Sequence, residues 1–170
     1  VLTGAMALTL LTACGGTAVR DKDIADALNE MAKVKNSTVT FTPRAAEQEM
    51  ARKLAALHDN EMANESDGNA YNEQVKNILG VKEGGVNANR FVWGVTVKTD
   101  GFGVSEQAAQ LFETLFGDDG PVVDFNEDRL ENKEPEETRY MGSALCKGVD
   151  MTGNPVTVRI VVVTAGIEGE

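Results

Sequence analysis

The spacing of apolar residues along this chain shifts from a helical period to a strand period, and that shift limits the fold more than any single motif does. Ile24, Leu28, Met31 and Val34 recur at intervals of four, three and three, the stripe of an amphipathic helix, with Asp21 and Asp23 at the end where the helix dipole favours acids. A second helix follows a short extended Val39-Thr40-Phe41. Thr42-Pro43 reads as its N-cap and first residue, Ala46, Met50, Leu54 and Leu57 as its apolar face, with Arg44, Glu47, Glu49, Arg52 and Lys53 elsewhere. It fades near Met62. A short helix over Tyr71 to Leu79 precedes a Gly- and Asn-rich loop, residues 80–89.

From Phe91 the period is two. Phe91, Trp93, Val95 and Val97 alternate with Val92, Gly94, Thr96 and Lys98, a strand pattern. One more helix, capped by Ser105 and stopped by Gly117, carries Ala108, Leu111, Phe112 and Leu115 on one face. Residues 118–137 hold nine acids, two bases and two prolines and read as a long loop. Two strands close the chain, Arg139 to Val149 and Val156 to Thr164, joined by a turn containing Gly153-Asn154. Helices first and an antiparallel hairpin last predict an α+β fold, with helices packed on a small antiparallel sheet. There is no internal repeat.

Composition fits one soluble domain. The 170 residues are 42% hydrophobic and 25% charged. Sixteen Lys and Arg against 27 Asp and Glu leave a net charge of -11, which repels phosphate backbones and argues against nucleic-acid binding.

The N-terminal segment sets the expected location. Residues 1–19 carry no charge, and an apolar run ends in Leu11-Thr12-Ala13-Cys14, then Gly15-Gly16. This resembles a bacterial lipobox: the Cys14 thiol is alkylated with diacylglycerol, and a peptidase cuts after Ala13. Thirteen residues make roughly 20 Å of helix, too short for a hydrocarbon core of roughly 30 Å. The expected organisation is a signal peptide over residues 1–13, a lipid-anchored N-terminus and short linker over 14–20, and one domain over 21–170. The protein is expected on the extracytoplasmic face of a bacterial membrane, as a monomer held by the lipid on Cys14. Cys146 then has no partner, so the core must hold without a disulfide.

The order of signals resembles the CAP superfamily, or SCP-like domains. A helix carries Ala27-Leu28-Asn29-Glu30, followed by Val39-Thr40-Phe41 and the alanine-rich Thr42-Pro43-Arg44-Ala45-Ala46-Glu47-Gln48-Glu49-Met50-Ala51. Ser66-Asp67-Gly68 is similar to the family's serine-proline-aspartate-glycine loop without its proline, and Asn89-Arg90-Phe91-Val92-Trp93-Gly94 to its glutamate-asparagine-isoleucine-x-tryptophan-glycine segment. Tyr140 to Ala144 with Val156 to Val163 is similar to the closing strand pair. The resemblance implies an α-β-α sandwich with a cleft at Asn64, Glu65 and Asn89. It implies no enzyme: the first His of the family's metal-binding tetrad falls at Ala63 or Asn64, its glutamate at Asn89, and no His follows His58. The expectation is a binding or interaction module for an unidentified envelope ligand, without a cofactor. Two rivals stay open: a metal-dependent hydrolase with a site near His58 and Glu65, and a ligand-binding envelope lipoprotein of unrelated α+β fold.

Other candidate chemistry is thin. His58 with Glu61 or Glu65 offers too few ligands for zinc, and a solvated His at a helix end is the simpler reading. Asp124, Asn126 and Asp128 occupy positions one, three and five of a calcium loop, but Arg129 stands where a Gly is needed and Pro135 where the chelating Glu belongs. A looser site with Asp118, Asp119, Glu127 and Glu131 stays open beside a solvated acidic loop. Cys146, in a strand with Lys147 as its only nearby cation, reads as a buried inert thiol, and Trp93 as a core aromatic on a central strand. Gly84-Gly85 and Gly101-Phe102-Gly103 do not make phosphate loops.

Overall fold

The computed structural model describes residues 19–64, 68–81, 89–117, 123–124, 130 and 132–169. Four helices sandwich one sheet: α1 (Asp21–Val34), α2 (Ala45–Asn64), α3 (Gly68–Leu79) and α4 (Val104–Phe116), with strands β1 (Thr40–Pro43), β2 (Phe91–Lys98), β3 (Val123–Asp124), β4 (Thr138–Val149) and β5 (Pro155–Ala165). The sheet order is β1-β4-β5-β2-β3. The α+β class holds. The expected all-antiparallel sheet is corrected, because β1 runs parallel to β4, from Thr40↔Thr138 to Pro43↔Met141. All other pairs are antiparallel.

Alternation along β4 and β5 sends neighbouring residues to opposite helix layers. Met141, Val161 and Val163 pack with Val95, Val97 and Phe41 against Ile24 and Leu28 of α1 and Leu111 of α4. Val162 and Val92 pack instead against Ala51 and Leu54 of α2 and Leu79 of α3. Trp93 lies on β2, one strand out from the central β5, half-buried and stacked on Phe91 at 5.6 Å between ring centroids.

Local chemistry sets the boundaries. α1 begins with the Asp23 carboxylate accepting from the Arg20 backbone N–H (3.2 Å) and ends at Asn36, whose φ is 56°. There the N–H of Ser37 reaches the Ala32 carbonyl and that of Asn36 the Lys33 carbonyl, a Schellman closure. α3 ends the same way at Gly80, φ 70°. The Asn29 side chain both donates to and accepts from the backbone of Phe41 (3.0 and 2.7 Å), closing the outer edge of β1.

Three sequence expectations shift. Pro43 ends β1 instead of opening α2: at the end of an edge strand its missing N–H costs no ladder bond, and Arg44 N–H takes the Met141 carbonyl (2.9 Å). Gly103, not Ser105, flanks the start of α4. The buried face of α2 keeps Leu54 and Leu57, with Met50 packed beside it, but is wider than expected: Glu47, Ala51 and Ala55 are buried too, while Ala46 is exposed. Close approach accounts for the added residues, since a Cβ on Gly142 would stand 2.0 Å from the Gln48 backbone nitrogen. Of the acidic stretch, residues 134–136 run beside 166–168, with Glu136 N–H to Gly166 and Glu168 N–H to Glu134.

Candidate functional site

The cleft expected at Asn64, Glu65 and Asn89 falls mostly outside the described residues. Asn64 ends α2, but its side chain and Glu65 lie outside the described residues; Asn89 is exposed just ahead of β2. His58 is half-buried on α2. No group of three or more His, Cys, Asp or Glu able to hold a metal exists among the described residues. Asp124 pairs through its backbone with Trp93; Asn126, Asp128 and Cys14 fall outside the described residues. Cys146 is buried, and burial together with the nearby Asp59 carboxylate pushes its thiol up to about 11. A thiol held that high carries almost no thiolate at neutral pH.

Among the described residues three charges are buried, unannounced by the sequence: Arg139 donates to the Glu136 carbonyl and lies over the Trp93 ring, and Arg159 and Glu47 organise the polar interior. Arg159 donates from Nε to Gln107 of α4 (2.9 Å), from Nη1 to Ser143 Oγ (2.7 Å) and from Nη2 to the Val19 carbonyl (3.0 Å). Asp21 lies 3.9 Å from Nη1 and accepts from the Ser143 backbone (3.0 Å) and hydroxyl. Burial lowers the Arg159 pKa and Asp21 opposes that, yet a guanidinium stays charged under any such shift. On the opposite face Glu47 is fully buried and accepts from both Nε (2.7 Å) and Nη2 of Arg44 and from Thr164 Oγ1 (2.7 Å). The Arg44 guanidinium stacks 3.8 Å from the Tyr140 ring centroid. Among the described residues no buried side-chain nitrogen or oxygen lacks a hydrogen-bond partner, so these clusters read as structural ties.

Among the described residues a concave feature lies between α1 and α4. A groove of about 830 Å³ is walled by Ala27, Met31 and Val34 of α1 and by Ala109, Phe112 and Phe116 of α4. Its rim holds Glu30, Lys35, Ser37, Ser105 and Glu113. Phe116 stands edge-on to the core ring of Phe41 (6.1 Å, 89°) and tilted on Phe112 (4.7 Å), so the floor continues the core. Glu30 is engaged with Lys33 (2.6 Å), whereas the Lys35 ammonium has no ion pair among the described residues. A signal for the groove exists in the sequence: the stripe Ile24, Leu28, Met31, Val34 outlasts the core that its first two members fill, and Val34 is 81% exposed.

The sequence matches no family model, and no curated protein and no solved structure matches it. No helix among the described residues is long and apolar enough to cross a membrane.

Proposed function

We propose that this chain is a monomeric, lipid-anchored protein of the bacterial envelope, tethered to the extracytoplasmic face of the membrane through Cys14, whose domain works by binding and not by catalysis. The ligand assigned to it is a long-chain carboxylate held in the groove between α1 and α4. The observation that carries this reading is the groove itself. Its volume lies within the range of small-molecule sites, and its walls are apolar and aromatic with a few polar groups at the rim, the usual division between affinity and orientation. The Lys35 ammonium, without an ion pair among the described residues, supplies a cation at the rim suited to an anionic head, with Ser37 beside it as a hydroxyl donor. The anchor half of the reading is supported by the uncharged apolar run ending at Leu11-Thr12-Ala13-Cys14.

The CAP-like identity of the sandwich belongs to this proposal too, supported by the order of helices and closing strands. An experimental structure that separates residues 64 and 89 onto different faces would remove it and leave the groove untouched.

The binding test uses the chain from Gly15 onward with cis-parinaric acid as a fluorescent probe and palmitate as competitor. Saturable enhancement, reversed by palmitate, is expected. Ala109→Trp fills the groove and should abolish it, and Lys35→Glu should weaken it several-fold. Enhancement that survives Ala109→Trp sinks the groove assignment. Ester or peptide hydrolysis that vanishes in His58→Ala would instead establish the enzyme.

A further inference from the structure

Six large apolar side chains are exposed among the described residues. Val34 and Phe116 line the groove. The other four, Phe102, Leu145, Val149 and Met151, lie toward the hairpin end of the sheet. β4 and β5 stay paired out to Val149↔Pro155, whereas β2 leaves the sheet at Lys98↔Val158 and β1 at Pro43↔Met141. The hairpin therefore projects about 10 Å beyond its neighbours. Val149 is 60% exposed and Met151, in the turn, wholly so. Leu145 lies directly across from Arg159. Phe102 is joined to the same place: its carbonyl accepts from Gln107 Nε2 (2.9 Å), and Gln107 Oε1 accepts from Arg159. The turn bearing Phe102 is fixed alongside the hairpin by Thr99 Oγ1 to the Thr157 carbonyl (2.6 Å) and Thr157 N–H to Asp100 (3.0 Å).

The N-terminal chain enters at this end. The Val19 carbonyl is bonded to Arg159 and the Asp21 carboxylate to Ser143. From there α1 runs away from the hairpin tip, since Asn29 reaches Phe41, which is level with Arg139. Four residues separate Cys14 from Val19, and the five Cα steps span at most about 18 Å even when fully extended.

We propose that the end of the sheet carrying Phe102, Leu145, Val149 and Met151 is a membrane-docking face that rests on the bilayer holding the Cys14 lipid. The inference rests on the lipid-anchor reading above. A tether this short, attached beside Leu145, holds that end within reach of the headgroups, while the groove opens along the half of α1 that points away. Burying apolar side chains at the interface favours one orientation of the domain over free tumbling on its tether. Lys98 and Lys147, exposed at the same end, suit a phosphate layer. Asp150 in the turn stays ionised and limits depth, so the tip sits among headgroups and not in hydrocarbon.

The test uses the full chain, lipidated in a bacterium, purified and placed in phosphatidylcholine vesicles. Nitroxide labels at Met151→Cys and, separately, Val34→Cys are read by power saturation with oxygen and a nickel chelate. The label at 151 should favour oxygen and be shielded from nickel, and the label at 34 should show the reverse. Adding Val149→Asp should return the label at 151 to water while vesicle flotation persists. Equal accessibility of both labels in a protein whose Cys14 carries lipid by mass spectrometry overturns the docking face and leaves the anchor standing. Absence of lipid on Cys14 overturns both. Dipolar broadening between labels at 151 would show hairpin tips meeting one another, and would overturn the membrane as their partner.

Discussion

Each face of the sheet ties a buried charge into a network, and the two networks neutralise it in different ways. On the α1 and α4 face the charge is a cation, Arg159, whose partners come from far along the chain: Val19, Asp21, Gln107 and Ser143. On the α2 and α3 face it is an anion, Glu47, paired with Arg44 three residues earlier in the same turn and with Thr164. The first arrangement fixes where separate elements sit. The second satisfies a carboxylate that helix approach has forced inside, and Arg44 keeps one side toward solvent. Long-range charge ties specify placement, whereas a local pair lets an unlikely residue occupy a close-packed seam.

The largest effect is expected where that seam is tightest. Gly142→Ala puts a methyl into the backbone of α2 at Gln48, where neither neighbour is a movable side-chain end. Overpacking against backbone should cost about 4 kcal/mol or more, in the extreme tail of single substitutions. Chemical denaturation measures it. A loss below about 1 kcal/mol would mean that α2 slides freely on the sheet and that the contrast between the faces is false.

Arg159→Met comes next. Removing one partner of a buried ion pair costs about 3–5 kcal/mol, because Asp21, Ser143 and Gln107 lose their donor together. Native-state hydrogen exchange should show α1 and α4 loosened while α2 and α3 keep their protection. Adding Asp21→Asn should restore part of the loss by removing the orphaned charge. Uniform loss of protection across both layers would break the claim that Arg159 serves one face only.

Glu47→Gln is smaller and carries a pH signature. Burial raises this carboxyl, but the hydrogen bonds from Arg44 and Thr164 outweigh it, and the net shift is downward from 4.5. A group whose folded pKa is depressed contributes its stability above the unfolded value and loses it as pH falls through the folded one. The thermal midpoint of the natural protein should therefore drop on acidification below about pH 4.5, and Glu47→Gln should lose less over that interval. At neutral pH the variant should be less stable by about 1.5–3 kcal/mol, the range for hydrogen bonds to a charged group. Identical acid slopes would assign the acid sensitivity elsewhere.

Much of this architecture is legible in the sequence, and the gaps have physical causes. α1, β2 and the β4–β5 hairpin follow from apolar period alone, because each has a face whose burial local spacing can report. Thr40 to Pro43 reads as extended, but its parallel pairing with Thr138 to Met141 is a tertiary fact that neither segment encodes by itself. Glu47 reads as solvated because its burial depends on Gly142, in a strand far along the chain. Arg159 alternates with Val161 and Val163 as a strand residue should, yet nothing local tells that its guanidinium reaches α1, α4, β4 and the chain ahead of α1. The groove is half legible: Met31 and Val34 continue the stripe of Ile24 and Leu28, but whether a stripe ends in core or in a cleft depends on where α4 stops.

The smallest expected effect lies beyond both faces, in the hairpin turn. Asp150 accepts from Thr152 N–H (2.8 Å), Thr152 Oγ1 (2.7 Å) and Asn154 N–H (2.9 Å). These bonds hold its carboxyl down at about 2, so the turn keeps its anion well below the pH at which Glu47 begins to falter. Asp150→Ala removes these contacts together with a fourth, from Asn154 Nδ2 (3.2 Å), but uncovers no core, and its effect on the global midpoint should fall within the scatter of surface substitutions. Amide exchange at Thr152 and Asn154 should accelerate, and the pair Val149↔Pro155 should fray with them. Fraying should stop at Lys147, whose N–H is taken by Asp59 of α2 (2.7 Å); beyond it Ser143 is held by Asp21 of α1. If protection is lost back to Ser143, the carboxylates of the two helices do not clamp the edge of β4. The rigid projection of Met151 toward a membrane then loses its support as well.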